Sequence, residues 1–221
     1  MGQYSNHPRY IPVIKWQKYE QLALNKIDAA LLPRVKPCIE VRTSDQHTNL
    51  VKNLHTIWPH ETYVDYSNPS GDLTAPRQAE LMAFLQVAAA TQLPVSPVIS
   101  PAYLAGLGAP FLQATAALPS VAIRIRLSSF QLNPQLFQLV TGSLAILKAA
   151  GSNAELFVDL GVSPKGWAPA DVQAFGVTVQ LLSGIGYSSV HLISGAFPAS
   201  LASVKTGSGK FDRNDWKFWE A

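Results

Sequence analysis

The residues of this chain best suited to chemistry lie inside its most strand-like runs. Glu40 and Arg42 stand in KPCIEVR, Asp65 in TYVDYS, Arg124 and Arg126 in VAIRIRLSS, and Asp159 in AELFVDLG, while Lys15 sits near the end of YIPVIKW. Guanidinium forks match carboxylate and phosphate groups bidentately, so Arg42, Arg124 and Arg126, with Lys15, suit an anionic or phosphorylated ligand. Asp65, Asp159 and Glu40 are the catalytic candidates, with Asp65 or Asp159 able to act as a general base or to hold a metal ion. The competing reading of the same residues is a salt-bridge network that satisfies itself and fills the interior.

Strand geometry could bring these groups together. Side chains alternate faces along a strand, so Glu40 shares a face with Arg42, and Arg124 with Arg126. In a doubly wound sheet each such pair would lie under a helix, at a cost of several kcal/mol per charge. In a closed or nearly closed barrel the inward face leads to a polar mouth at the carboxyl ends of the strands. Each charge lies late in its run, so convergence at that mouth is expected, with His191 of SSVHLIS a further member.

Strand-like runs start at residues 10, 37, 62, 94, 121, 154 and 188, at spacings of 25 to 34 residues. Between them lie helical patterns: EQLALNKIDAALL, HTNLVKNLHTIW, APRQAELMAFLQVAAATQ after Thr74 as N-cap, NPQLFQLVTGSLAILKAAG with Asn133 as cap and Gly151 as stop, and APADVQAFGVTVQLLSGIG. Asn133 followed by Pro134 is a helix-start signal, and a glycine after the last apolar turn is a stop. A strand and a helix about every 30 residues is the rhythm of consecutive βα units with parallel strands. The predicted fold is α/β, a TIM-like βα barrel, incomplete with about seven βα units. No linker interrupts it, so residues 1–221 read as one domain with a helical, Trp-containing tail at 211–221.

The 221 residues are 48% hydrophobic and only 14% charged, which suits one sizeable core rather than a disordered chain. The net charge of +3 is scattered, so nothing in it marks a nucleic-acid interface. Cys38 stands alone in an apolar run, which fits a small buried hydrophobe in a reducing, cytoplasmic setting. No apolar run is long and unbroken enough to span a bilayer, so no membrane partner is expected. His7, His47, His55, His60 and His191 form neither HxH nor HExxH spacing, so no zinc site is expected. TGSGKF at 206–211 imitates part of a phosphate-binding loop without its leading strand, and AGLGAP at 105–110 falls short of the dinucleotide fingerprint. The cofactor is left undetermined. Trp216 and Trp219 share a helical face, which suits packing onto the barrel or a docking patch.

Several segments also resemble the phage T4 beta protein family. YIPVIKWQKYEQLAL is similar to the family's opening, through Tyr10, Pro12, Lys15, Glu20, Ala23 and Leu24, although Tyr19 stands where the family commonly has Gly. The resemblance continues through PCIEVR, VDYS, RIRLSS, LFVDLG, SGAFPASL and RNDWKFWEA, and so covers most of the chain. It implies an αβ barrel found in phages, plasmids and bacterial genomes, and implies no particular reaction. Family members usually run on past the Trp-rich helix to a further strand, so this chain is expected to be a short form or a fragment. Its first and seventh strands should then leave an open seam. The first ten residues, a second subunit or another protein could cover that seam.

Overall fold

Each strand-like run of the sequence forms a strand, and all of them pair in parallel. The computed structural model describes residues 10–161, 167–194 and 217–218. Within these, β1 (Val13–Lys15), β2 (Cys38–Glu40), β3 (Thr62–Asp65), β4 (Val95–Ile99), β5 (Val121–Arg126), β6 (Ala154–Asp159) and β7 (Val190–Ile193) form one sheet in sequence order. Between them run α1 (Lys18–Leu24), α2 (Ser44–Ile57), α3 (Ala75–Ala90), α4 (Pro101–Thr115), α5 (Pro134–Ala149) and α6 (Pro169–Ser183). The result is a curled half-barrel, an incomplete α/β barrel with β1 and β7 at its two edges.

Local chemistry explains several helix boundaries. The Thr43 hydroxyl accepts from Gln46 N at the start of α2, and the Asn133 side chain accepts from Leu136 N with Pro134 at the first position of α5. Gly151, at φ 74°, ends α5 in a conformation that favours glycine. Thr74 stands at the N-cap of α3, but its side chain makes no capping bond.

Two sequence expectations need correction. The helix expected over EQLALNKIDAALL stops at Leu24. There Asp28 instead accepts from Ala30 N in a local turn, and Pro33 shapes a short 3-10 segment, Leu32–Arg34. AGLGAP, which stands outside the helical patterns of the sequence, lies inside α4, kinked where Gly108 adopts φ 64°. Leu104 and Phe111 of this helix are fully buried, so packing overrides the glycines and Pro110.

The curl is demonstrated by Arg124. In a flat sheet, three strand spacings of about 4.8 Å would separate β5 from β2 by roughly 14 Å, beyond the reach of one arginine. Arg124 Nη1 nevertheless lies 3.1 Å from Glu40 Oε1. The register also shears: Asp65 leads by successive pairings to Val98, Ala122 and Glu155, yet it meets Arg124 alongside Asp159, further along β6. Strand tilt of this kind accompanies barrel closure.

The two faces of the sheet carry separate apolar clusters. Ile39, Val64, Ile99, Ile123, Leu156 and Val158 face the helices and join the main core with Leu50, Phe84, Phe111 and Val140. Cys38, Tyr63, Val98, Ala122 and Phe157 form a smaller cluster on the concave face. Cys38 is fully buried there, and burial pushes its thiol well above the usual range, as befits a small hydrophobe.

Candidate functional site

The concave face is layered along the strands: polar groups at the amino ends, the Cys38–Phe157 apolar layer in the middle, and charge at the carboxyl ends. The sequence alternation produces this directly. Tyr63 and Asp65 share a face on β3, as do Ala122, Arg124 and Arg126 on β5, and Glu155, Phe157 and Asp159 on β6.

Arg124 is the hub of the carboxyl-end layer. Its Nη1 donates to Asp65 Oδ2 at 2.8 Å and to Glu40 Oε1 at 3.1 Å. Its Nε donates to Asp159 Oδ2 at 2.9 Å, and Nη2 lies 2.7 Å from the same oxygen. All four side chains are buried, Asp65 completely. Burial alone would lower the Arg124 pKa, but the carboxylates, Asp65 and Asp159 foremost, outweigh it and raise the value above the ordinary one. The second oxygens of both aspartates hold the turn that follows their strand: Asp65 Oδ1 accepts from Ser67 N at 2.8 Å, and Asp159 Oδ1 from Gly161 N at 2.7 Å. VDYS and VDLG thus use their aspartates in the same way.

Two further arginines flank the hub. Arg42 Nη2 lies 2.5 Å from Glu40 Oε2, and Arg42 Nη1 donates to the Ser67 carbonyl. Arg126 is held more loosely, with Nε 3.8 Å from Asp159 Oδ2. The charges therefore form a chain, Arg42–Glu40–Arg124–Asp159–Arg126, with Asp65 attached to Arg124. Its two ends carry unsatisfied donors: Arg42 Nε and Arg126 Nη2 are buried and have no acceptor among the described residues.

Of the sequence-expected residues, the structure brings together Glu40, Arg42, Asp65, Arg124, Arg126 and Asp159. Lys15 pairs in register with Glu40 but is exposed on edge strand β1, outside the bonded network. His191 departs from expectation. It sits early in β7 and bonds Glu155 and Ser189, towards the other end of the concave face. TGSGKF at 206–211, Trp216 and Trp219 lie outside the described residues. Phe218 stacks on Phe130 at 5.0 Å between ring centroids.

The amino-end layer escaped the sequence reading. Glu155 accepts from Tyr63 Oη at 2.5 Å, from Ser189 Oγ at 3.0 Å and from the Ser120 hydroxyl, and His191 Nε2 lies 2.9 Å away. Lys36 Nζ lies 3.5 Å from Glu155 Oε1 and 3.8 Å from the centre of the Tyr63 ring, a cation–π contact. Burial pushes the Glu155 carboxyl up. That push is outweighed by the His191 hydrogen bond, the Lys36 charge and the Ser120 and Tyr63 hydroxyls, which hold it well below the usual carboxylate range. The signal for Glu155 was its shared face with Phe157 and Asp159.

Gly71, in the loop between β3 and α3, fixes the setting of Arg126. A Cβ there would stand 2.6 Å from Arg126 Nη1, and the residue adopts φ 93°. Gly71→Ala should therefore lower stability by about 1–3 kcal/mol through strain and contact together. Urea denaturation checks this. A double-mutant cycle with Arg126→Ala should recover the contact portion and leave the backbone portion.

Among the described residues, no group of three His, Cys, Asp or Glu side chains is disposed to hold a metal ion. None of the described helices is long and apolar enough to cross a membrane. The family model described as "Beta protein" matches residues 10–221. No curated protein matches the chain.

Proposed function

Starting from a chain that belongs to the beta protein family, we propose that the barrel mouth binds a small anionic ligand through Arg126 and Arg42, with Lys15 at the rim. Arg124 is the support of this site rather than its clamp, because its donors are already shared among Glu40, Asp65 and Asp159. The observation that carries the reading is the pair of buried donors, Arg42 Nε and Arg126 Nη2, that have no acceptor among the described residues. A buried guanidinium N–H without an acceptor costs on the order of 1–3 kcal/mol or more, and an anion at the mouth would remove that cost. Glu40, Asp65 and Asp159 remain its acid–base candidates, with holding Arg124 as their first role. The same reading makes the protein phage- or mobile-element-associated and cytoplasmic. Family membership supports the former, and the lone buried Cys38 is consistent with the latter.

A thermal-shift screen of the full chain tests this, using nucleotides, sugar phosphates, small carboxylates and divalent cations. A ligand that binds only the folded form raises the melting temperature by mass action. The rise should vanish in Arg126→Gln and persist in Lys52→Gln, a change on the exposed face of α2.

A second reading is a non-enzymatic scaffold that engages a protein partner or a second copy at the β1 and β7 edges. The close pairing of Arg124 with three carboxylates favours it, as do Val177, Leu181 and Leu192, exposed at 57%, 53% and 41% on α6 and β7. A screen in which no compound moves the melting point would leave this reading standing.

A further inference from the structure

Building on the anion-binding reading of the mouth, we propose that the group recognised there is the single carboxylate of a small molecule and not a phosphate. Charge balance is the first reason. Among the described residues, Arg42, Arg124 and Arg126 balance Glu40, Asp65 and Asp159 within the bonded network, so the one surplus positive charge at this end is that of exposed Lys15 at the rim. A monocarboxylate neutralises it. A phosphate group at neutral pH carries about −1.5 to −2 and would bring surplus negative charge beside buried Asp159. Asp159 Oδ2 is only 3.8 Å from Arg126 Nε, and in a partly desolvated setting like charges that close oppose each other strongly.

The backbone supplies the second reason. Phosphate sites gather several free N–H groups from loops and helix starts around the anion. Just beyond β2, β3 and β6, one backbone amide at each strand end is already taken. Ser67 N serves Asp65, Gly161 N serves Asp159, and Arg42 N donates to Gln46 Oε1 at 2.6 Å. At this end of the concave face the buried side-chain donors without an acceptor among the described residues are guanidinium groups. Arg126 has Nη1 set against Gly71 and Nη2 without an acceptor, and a planar carboxylate suits a single guanidinium fork. Burial, and then Arg124, weaken the hold of Arg126 on its proton, as expected of a cation short of neutralising partners.

The test titrates the full chain with sodium acetate and sodium propionate, and separately with sodium phosphate and sodium sulfate at matched ionic strength. It follows melting temperature and calorimetric binding. Acetate and propionate should bind at least tenfold more tightly than phosphate or sulfate. Arg126→Gln should weaken carboxylate binding at least tenfold, Arg126→Lys should weaken it less, and Lys52→Gln should leave it unchanged. Phosphate or sulfate binding more tightly than acetate, still through Arg126, would overturn the carboxylate assignment and leave anion binding intact. Carboxylate binding indifferent to both Arg126 variants would overturn the assignment to this residue. Failure of every anion to bind would remove the anion-binding reading with it.

Discussion

Arg124→Met should cost the protein about 3–5 kcal/mol in urea denaturation at neutral pH, the usual penalty for removing one partner of a buried ion network. The variant keeps much of the side chain's volume, so lost packing is a small part of the change. What it leaves behind is Glu40, Asp65 and Asp159 around a site that no longer holds a cation. Asp159→Asn added to Arg124→Met should cost less than the two single changes summed. Arg124→Lys should recover only part of the loss, since one ammonium cannot reproduce a fork that reaches three carboxylates. A loss below about 1 kcal/mol would mean that the network does not stabilise the fold.

How far this arrangement was legible in the sequence depended on which residues broke a pattern. Arg124 and Arg126 stand out because a buried parallel strand should be nearly continuous in apolar residues, and alternation then assigns them one face. Asp65 and Asp159 stand out in the same way, as do Glu40 and Arg42. The parallel order followed from the βα rhythm, since short connections through helices lead one strand to the next. The amino-end layer was hidden because its members look ordinary. Lys36, Ser120 and Ser189 lie at or before strand starts, where polar residues are expected, and nothing local says that a tilted, curled sheet turns them inward. His191 was misplaced for the same reason: its height in the barrel depends on strand tilt, and tilt is a property of the whole sheet. The kinked helix α4 was lost to Gly106, Gly108 and Pro110, whose local preferences the burial of Leu104 and Phe111 overcomes.

Strand tilt also makes Glu155 the second point at which one substitution should have a large effect. Glu155→Ala is expected to cost about 3–5 kcal/mol, because four hydrogen-bond partners and buried Lys36 lose their shared acceptor. Glu155→Gln should cost less at neutral pH, since it keeps the shape and one acceptor oxygen, while losing the charge and turning the other oxygen into a donor. Its more informative effect is on acid stability. The folded protein holds the Glu155 carboxyl well below its ordinary range, so the unfolded chain takes up this proton first as the pH falls. The stabilisation is fully present above the ordinary glutamate pKa and drains away below it, down through the depressed folded value. Urea denaturation across a series from pH 7 to about pH 3 should therefore show the wild type losing its advantage over Glu155→Gln as the solution becomes more acidic. Lys36→Met combined with Glu155→Gln should cost less than the two changes summed, because the two groups interact directly and the second change removes a contact the first has already lost. An advantage that stays constant across the whole acid range would show that the charge on Glu155 contributes nothing there and that its packing alone matters.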